Sequence, residues 1–199
     1  LNVELSTAPD GDLLPALEQW LAGGSMTALM TLFWRLAIFR AGPENAPYST
    51  NLLGLVLLGW CGLQLLVGSL QTALPVLVLL SSQLTSMAVI LAGIFVLLGF
   101  KGLQSRWLQT ALSLVGIDVV LTLVTLPLLA INAGMAQSQG WIEGLYLLLV
   151  SWQLAAQSFV YHRAMNVGPF LGLGIALTLL VAGYAAVVML VPEVVTVTR

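Results

Sequence analysis

Asp118 is the one ionisable side chain set deep inside a long apolar run, Leu108–Ile131. It lies about ten residues into that run. At about 1.5 Å per helical residue this is near the middle of a hydrocarbon layer about 30 Å thick. A carboxyl at that depth is expensive, so it marks a candidate site. Two chemistries fit it. It can bind a proton or cation, or recognise a partner's polar group. Alternatively it ties helices together through hydrogen bonds to neutral polar neighbours. Counting inward from the run ends puts Gln83, Thr85 and Ser86 at similar depth, as well as Ser151 and Gln153, with Gln64 somewhat further out. No lysine, arginine or histidine reaches that depth. The carboxyl is therefore expected to be neutral and to donate to a serine or glutamine.

Other chemistries lack their residues. An intramembrane aspartyl site needs two carboxylates. A serine nucleophile needs a base at its own depth, and the sole histidine, His162, falls at the end of a run. One histidine and one cysteine, Cys61, make no zinc site and no internal disulfide. No glycine-rich phosphate loop is present. The expectation is a protein without catalytic residues, metal or cofactor.

The elements that must hold Asp118 follow from composition. Of 199 residues, 59% are apolar and 7% charged, against about 25% charged in a soluble domain. So few charges cannot clothe a soluble surface. No basic patch exists to neutralise phosphates, which excludes a nucleic-acid partner. Five segments reach the roughly 20 apolar residues of a membrane span: about 51–71, 75–100, 108–131, 141–161 and 169–191. They lack the ten-residue alternation of barrel strands. The predicted fold is all-α, a polytopic bundle of five transmembrane helices.

Cations set its orientation. Arg35 and Arg40 precede the first span, Lys101 and Arg106 separate the second from the third, and Arg163 separates the fourth from the fifth. In a five-span plan these share one side, and only Arg199 falls on the other. By the positive-inside bias the N-terminus is cytoplasmic and the C-terminus outside. Trp107 and Trp141 stand at span ends as interfacial aromatics. His162 and Arg163 read as a headgroup anchor.

Residues 26–41 are too short to span. Thr27, Thr31 and Arg35 share one helical face, and Leu29, Met30, Leu32, Phe33, Leu36 and Phe39 cover the rest. The expectation is an amphipathic helix in the cytoplasmic interface. Phe33 and Trp34 would dip into lipid, with Arg35 and Arg40 near headgroups. The competing arrangement packs this helix on the inner end of the bundle. Residues 1–25 read as an N-terminal segment that is mobile, non-native or docked. It has no cleavable signal pattern, and Leu13, Leu14, Leu17 and Leu21 share one face. Close helix packing is expected at Gly168 and Gly172, spaced as GxxxG, and at Ala88 and Ala92.

The five-span plan, with N-terminus inside and C-terminus outside, resembles the Yip family of Ypt/Rab-interacting membrane proteins and their bacterial relatives. Leu108-Gln-Thr-Ala-Leu-Ser-Leu-Val-Gly116 is similar to the amphiphilic start of that family's third span. Trp152, followed by His162 and Ala164, is similar to its fourth span and cytoplasmic turn. The resemblance covers about residues 40–192. Eukaryotic members carry a longer N-terminus with an Asp-Leu-Tyr-Gly-Pro motif, to which Gly42-Pro43-Glu44 bears only a faint resemblance. The resemblance implies a non-catalytic scaffold or adaptor that binds proteins or shapes membrane. Its partners are then the bilayer and another protein or a second copy. The short loops point to a bacterial inner membrane. The alternative is a small transporter or ion-coupled subunit using Asp118.

Overall fold

The computed structural model describes residues 25–72, 74–133 and 140–192. Residues 1–24, 73, 134–139 and 193–199, the last including Arg199, lie outside the described residues.

Among the described residues, six α-helices follow from local punctuation. Helix α1 covers Ser25–Ala37, α2 Thr50–Gln71, α3 Val76–Phe100, α4 Trp107–Ala133, α5 Gly140–Met165 and α6 Pro169–Leu190. Short 3-10 turns, Pro43–Asn45 and Gln104–Arg106, precede α2 and α4. Ser49 starts α2 by accepting the Leu52 N–H at 3.3 Å. Pro75 precedes α3, and Pro169 opens α6 where its missing N–H costs nothing. Gly102, at φ +68°, turns the chain out of α3. No strand occurs among the described residues.

Among the described residues, four helices, α2, α3, α4 and α6, are long and apolar enough to cross a membrane. Helix α5 is as long, but Glu143, Ser151, Gln153, Gln157 and Ser158 dilute it. The outward faces are apolar: Leu58, Leu77, Phe170 and Met189 are each more than 70% exposed. A soluble protein rarely leaves that much apolar surface bare, so a bilayer is its natural cover.

Helix α4 is the axis of the packing. Every residue from Thr110 to Ile117 is buried, because α1, α2 and α5 all lie against it. That stretch is apolar except for Thr110 and Ser113, whose hydroxyls donate to the Arg106 and Gln109 carbonyls of their own helix at 2.8 and 2.7 Å. Helix α6 packs on α5 and α3, and α3 also touches α2.

The position of α1 differs from the interfacial expectation. Phe33, Leu36 and Ala37 are at most 1% exposed. Phe33 lies over Gly116, where even a β-carbon would collide with its ring. Trp152 of α5 donates its indole N–H to the Ala37 carbonyl at 2.8 Å. Phe33 therefore does not dip into lipid. It is a core residue whose burial the absent side chain of Gly116 permits. Trp34 stays part-exposed and meets Trp152 edge-on at 6.1 Å. Two residues after α1, Phe39 takes the left-handed conformation at φ +62°. That conformation costs a non-glycine residue of order 1 kcal/mol. An edge contact with Phe159 at 5.5 Å helps hold it.

A polar knot at mid-bundle and a cationic end

Trp60 and Gln64 are four residues apart on α2 and so project from one face. That face meets α4 at Asp118. The Trp60 indole N–H donates to Asp118 Oδ2 at 2.5 Å, and Gln64 Nε2 donates to the same oxygen at 2.9 Å. From the other side, Gln153 Nε2 of α5 donates to Oδ1. Three helices thus converge on one carboxyl, and both of its oxygens are occupied. The Trp60 N–H can only donate, so Asp118 is an acceptor here and not the donor expected from depth alone. The apolar residues Ile117 and Val119–Leu121 beside it are all buried.

Of the residues expected around Asp118, only Gln153 and the more distant Gln64 reach it. Gln83, Thr85 and Ser86 lie on α3, whose principal neighbour is α6. The Ser86 side chain faces Gly183 of α6. Ser151 is exposed and donates to the Leu147 carbonyl of its own helix at 2.8 Å. A short hydroxyl inside an apolar helix usually satisfies itself in this way, and cannot then bridge to a neighbour. Trp60 is 3% exposed. Only Trp34, Trp107 and Trp141 were expected at the interface, and Trp60 was not among the residues expected around Asp118. The signal was a tryptophan and a glutamine spaced i, i+4 within one span.

Small residues separate in the same way. A β-carbon at Gly172 would stand 2.6 Å from the Ser158 carbonyl oxygen, so α6 and α5 touch backbone to backbone there. A β-carbon at Gly168 would meet nothing. Ala88 and Ala92 are exposed and line no tight contact. Close approaches instead use Gly116, against Phe33, and Gly93, against Leu179 of α6. Trp107 is half-buried. It donates to the Leu91 carbonyl at 3.1 Å and so clamps α4 to α3.

The second constellation lies at the end of the bundle formed by the turns around residues 43–45, 101–106 and 163–168. Lys101 Nζ donates to the Met165 carbonyl at 3.1 Å, and Arg106 Nη1 to that of Ala164 at 3.4 Å. Both cations cap the carbonyl end of α5, where the helix dipole favours positive charge. His162 Nδ1 closes the following turn on the Val167 carbonyl. It is a local structural contact rather than a free headgroup anchor. Arg163 forms an ion pair with Glu44 and lies over the Phe159 ring. Gln109 Nε2 fixes the 43–45 turn by donating to the Ala46 carbonyl at 2.9 Å. Partial burial pushes the Glu44 carboxyl up. Its own backbone N–H, the Arg163 hydrogen bond, and the charges of Arg163 and Arg106 outweigh this and hold it below the usual carboxylate range. Arg35 and Arg40 are both exposed on and after α1.

Two connected open grooves run between these side chains. One, of about 570 Å³, is lined by Lys101, Leu103, Arg106, Arg163, Met165 and Asn166. The other, of about 400 Å³, shares Arg106, Arg163 and Asn166 and adds Glu44 and His162. Asp118 lines neither groove. Among the described residues no cluster of three or more histidine, cysteine or acidic side chains could hold a metal ion. In comparisons with protein-family models, curated proteins and solved structures, the chain matches none.

Proposed function

We propose that the chain is a non-catalytic integral membrane scaffold of five spans, resembling the Yip family in plan, whose cation-bearing end receives a protein partner. The observation that carries this reading is the meeting of three separate turns at that end. The contacts of Lys101 with Met165 and of Arg106 with Ala164 bring the α3–α4 and α5–α6 turns together. If α4 crosses the bilayer, α5 must return across it for these turns to meet, which supports a fifth span. Arg40, Lys101, Arg106 and Arg163 then share one side, and the positive-inside bias makes it cytoplasmic. The short loops fit a bacterial inner membrane.

Polar side chains whose partners are satisfied serve as interhelical ties. Asp118 fits that description, with each oxygen held by a neighbouring helix. A transporter using Asp118 has less support, because three donors from two neighbouring helices already occupy both carboxyl oxygens.

A photo-crosslinking residue placed at Gln104 or Arg40, both exposed, tests the reading in cells. A discrete adduct with a second protein is expected from both sites. Self-crosslinks and lipid adducts alone would sink it. Cysteine substitutions at Asn45 and Gln104, in a Cys61→Ser background, should label from the cytoplasmic side only. Labelling from outside overturns the orientation.

A further inference from the structure

We propose that the groove between Lys101, Arg106 and Arg163 binds the phosphate of an anionic phospholipid. The inference rests on the membrane-crossing reading of that end, and it does not require a protein partner. Of the five described cations, three line this one groove, while Glu44 is the only acid among the residues of the two connected grooves. Among the described residues, Lys101 and Arg106 have no carboxylate partner. The side chains are also held in place. Lys101 donates one of its three N–H groups to Met165, and Arg106 uses one of its five on Ala164. Each anchored head keeps further donors for an anion, so little ordering remains to be done on binding.

An anchored phosphate suits the site better than a free one. The groove is not wholly polar, since Leu103 and Met165 form part of its wall. Phe100, next to Lys101 at the end of α3, is 87% exposed, and Phe170, at the start of α6, is 88% exposed. These two helices are packed neighbours. Exposed apolar surface thus directly precedes Lys101 in the chain, where an acyl chain has apolar partners. Basic pockets at the cytoplasmic ends of membrane helices commonly hold acidic headgroups in this way.

The test titrates the purified full chain, in neutral detergent, with short-chain phosphatidylglycerol, phosphatidylcholine and inorganic phosphate, and counts retained adducts by native mass spectrometry. Phosphatidylglycerol should be retained at concentrations where phosphatidylcholine is not. Lys101→Gln or Arg106→Gln should weaken it about fivefold, the effect of one cation near an anionic headgroup. Because these two residues also cap α5, Glu44→Gln provides an independent arm. It releases Arg163 without touching either cap, and retention should rise by a similar factor. Arg40→Gln, outside the groove, should change nothing. Equal retention of phosphatidylcholine, or a Glu44→Gln variant that binds no better, overturns the proposal. Displacement by equimolar inorganic phosphate overturns its lipid part. A failed crosslinking experiment with a successful titration would reject the protein partner and keep the lipid.

Discussion

Replacing Asp118 with leucine and with asparagine separates a structural tie from a site that must titrate. Leucine removes both acceptors at once. The Trp60 N–H, the Gln64 amide and the Gln153 amide then lose their shared partner. Interhelical hydrogen bonds in membrane proteins are worth about 0.6 kcal/mol on average and about 1.7 kcal/mol at most. Three of them give about 2 kcal/mol, rising to about 5 kcal/mol if each is near the maximum. Asparagine behaves differently. Its carbonyl oxygen can take the place of Oδ2 and still accept from Trp60 and Gln64. Its amide then faces Gln153, whose own amide needs only to turn over and offer its oxygen. The expected loss is below about 1 kcal/mol.

Reversible unfolding in mixed micelles, titrated with a denaturing detergent, measures both. Trp60→Phe, which keeps an aromatic ring in place and deletes one donor, should fall between them at about 0.6–1.7 kcal/mol. Proton uptake into proteoliposomes supplies the functional arm: neither wild type nor Asp118→Asn should show it. A leucine variant as stable as wild type would mean that the knot holds nothing together. An asparagine variant as unstable as leucine would mean that the negative charge itself is required. Wild-type proton uptake abolished in Asp118→Asn would transfer the site to the transporter reading.

The tight glycines make a paired prediction. Gly116→Ala and Gly172→Ala should each cost about 1–3 kcal/mol, as overpacking does. Phe33→Leu should recover part of the loss at Gly116, where the obstacle is a ring, and a smaller neighbouring side chain should not help at Gly172, where it is the Ser158 carbonyl oxygen. Detergent melting temperatures read both. The Glu44–Arg163 pair predicts a pH effect whose sign is fixed. The folded carboxyl is held below its usual range, so the pair's contribution is present above about pH 4.3 and is lost as pH falls through the folded value. Both partners are about half exposed, which limits the contribution to less than about 1 kcal/mol. The stability difference between wild type and Glu44→Gln should shrink below about pH 4; a difference unchanged from pH 7 to pH 3 refutes the pairing.

What could be read along the chain was whatever depends on neighbours in sequence. Apolar runs broken by Pro75, Lys101-Gly102 and Gly168-Pro169 delimit α3, α4 and α6 closely, because those residues stop or start helices wherever they occur. The depth of Asp118 was legible for the same reason, since rise per residue is a local constant. Depth, however, fixes a level in the bilayer and leaves the direction around the helix open. Counting from the run ends puts Gln83 and Ser86 level with Asp118, but they belong to α3, which packs chiefly on α6. Gln153 and Trp60 combine level with direction and with reach. A glutamine or tryptophan spans the gap between helix axes, while the hydroxyl of Ser151 turns back to its own backbone.

Helix α1 shows the same limit from the packing side. Its apolar stripe suits a lipid surface and a protein groove equally. The choice is made by Gly116, more than eighty residues away, which leaves room for the Phe33 ring, and by Trp152, which reaches the α1 carbonyl end. Leu108–Gly116 and Trp152 were singled out in the sequence for their resemblance to a family pattern. Physically they form the seat of α1. That seat puts the chain leaving α1 beside Arg106 and Arg163, so the packing inside the bundle also builds the cationic end at which the lipid and partner proposals will be tested.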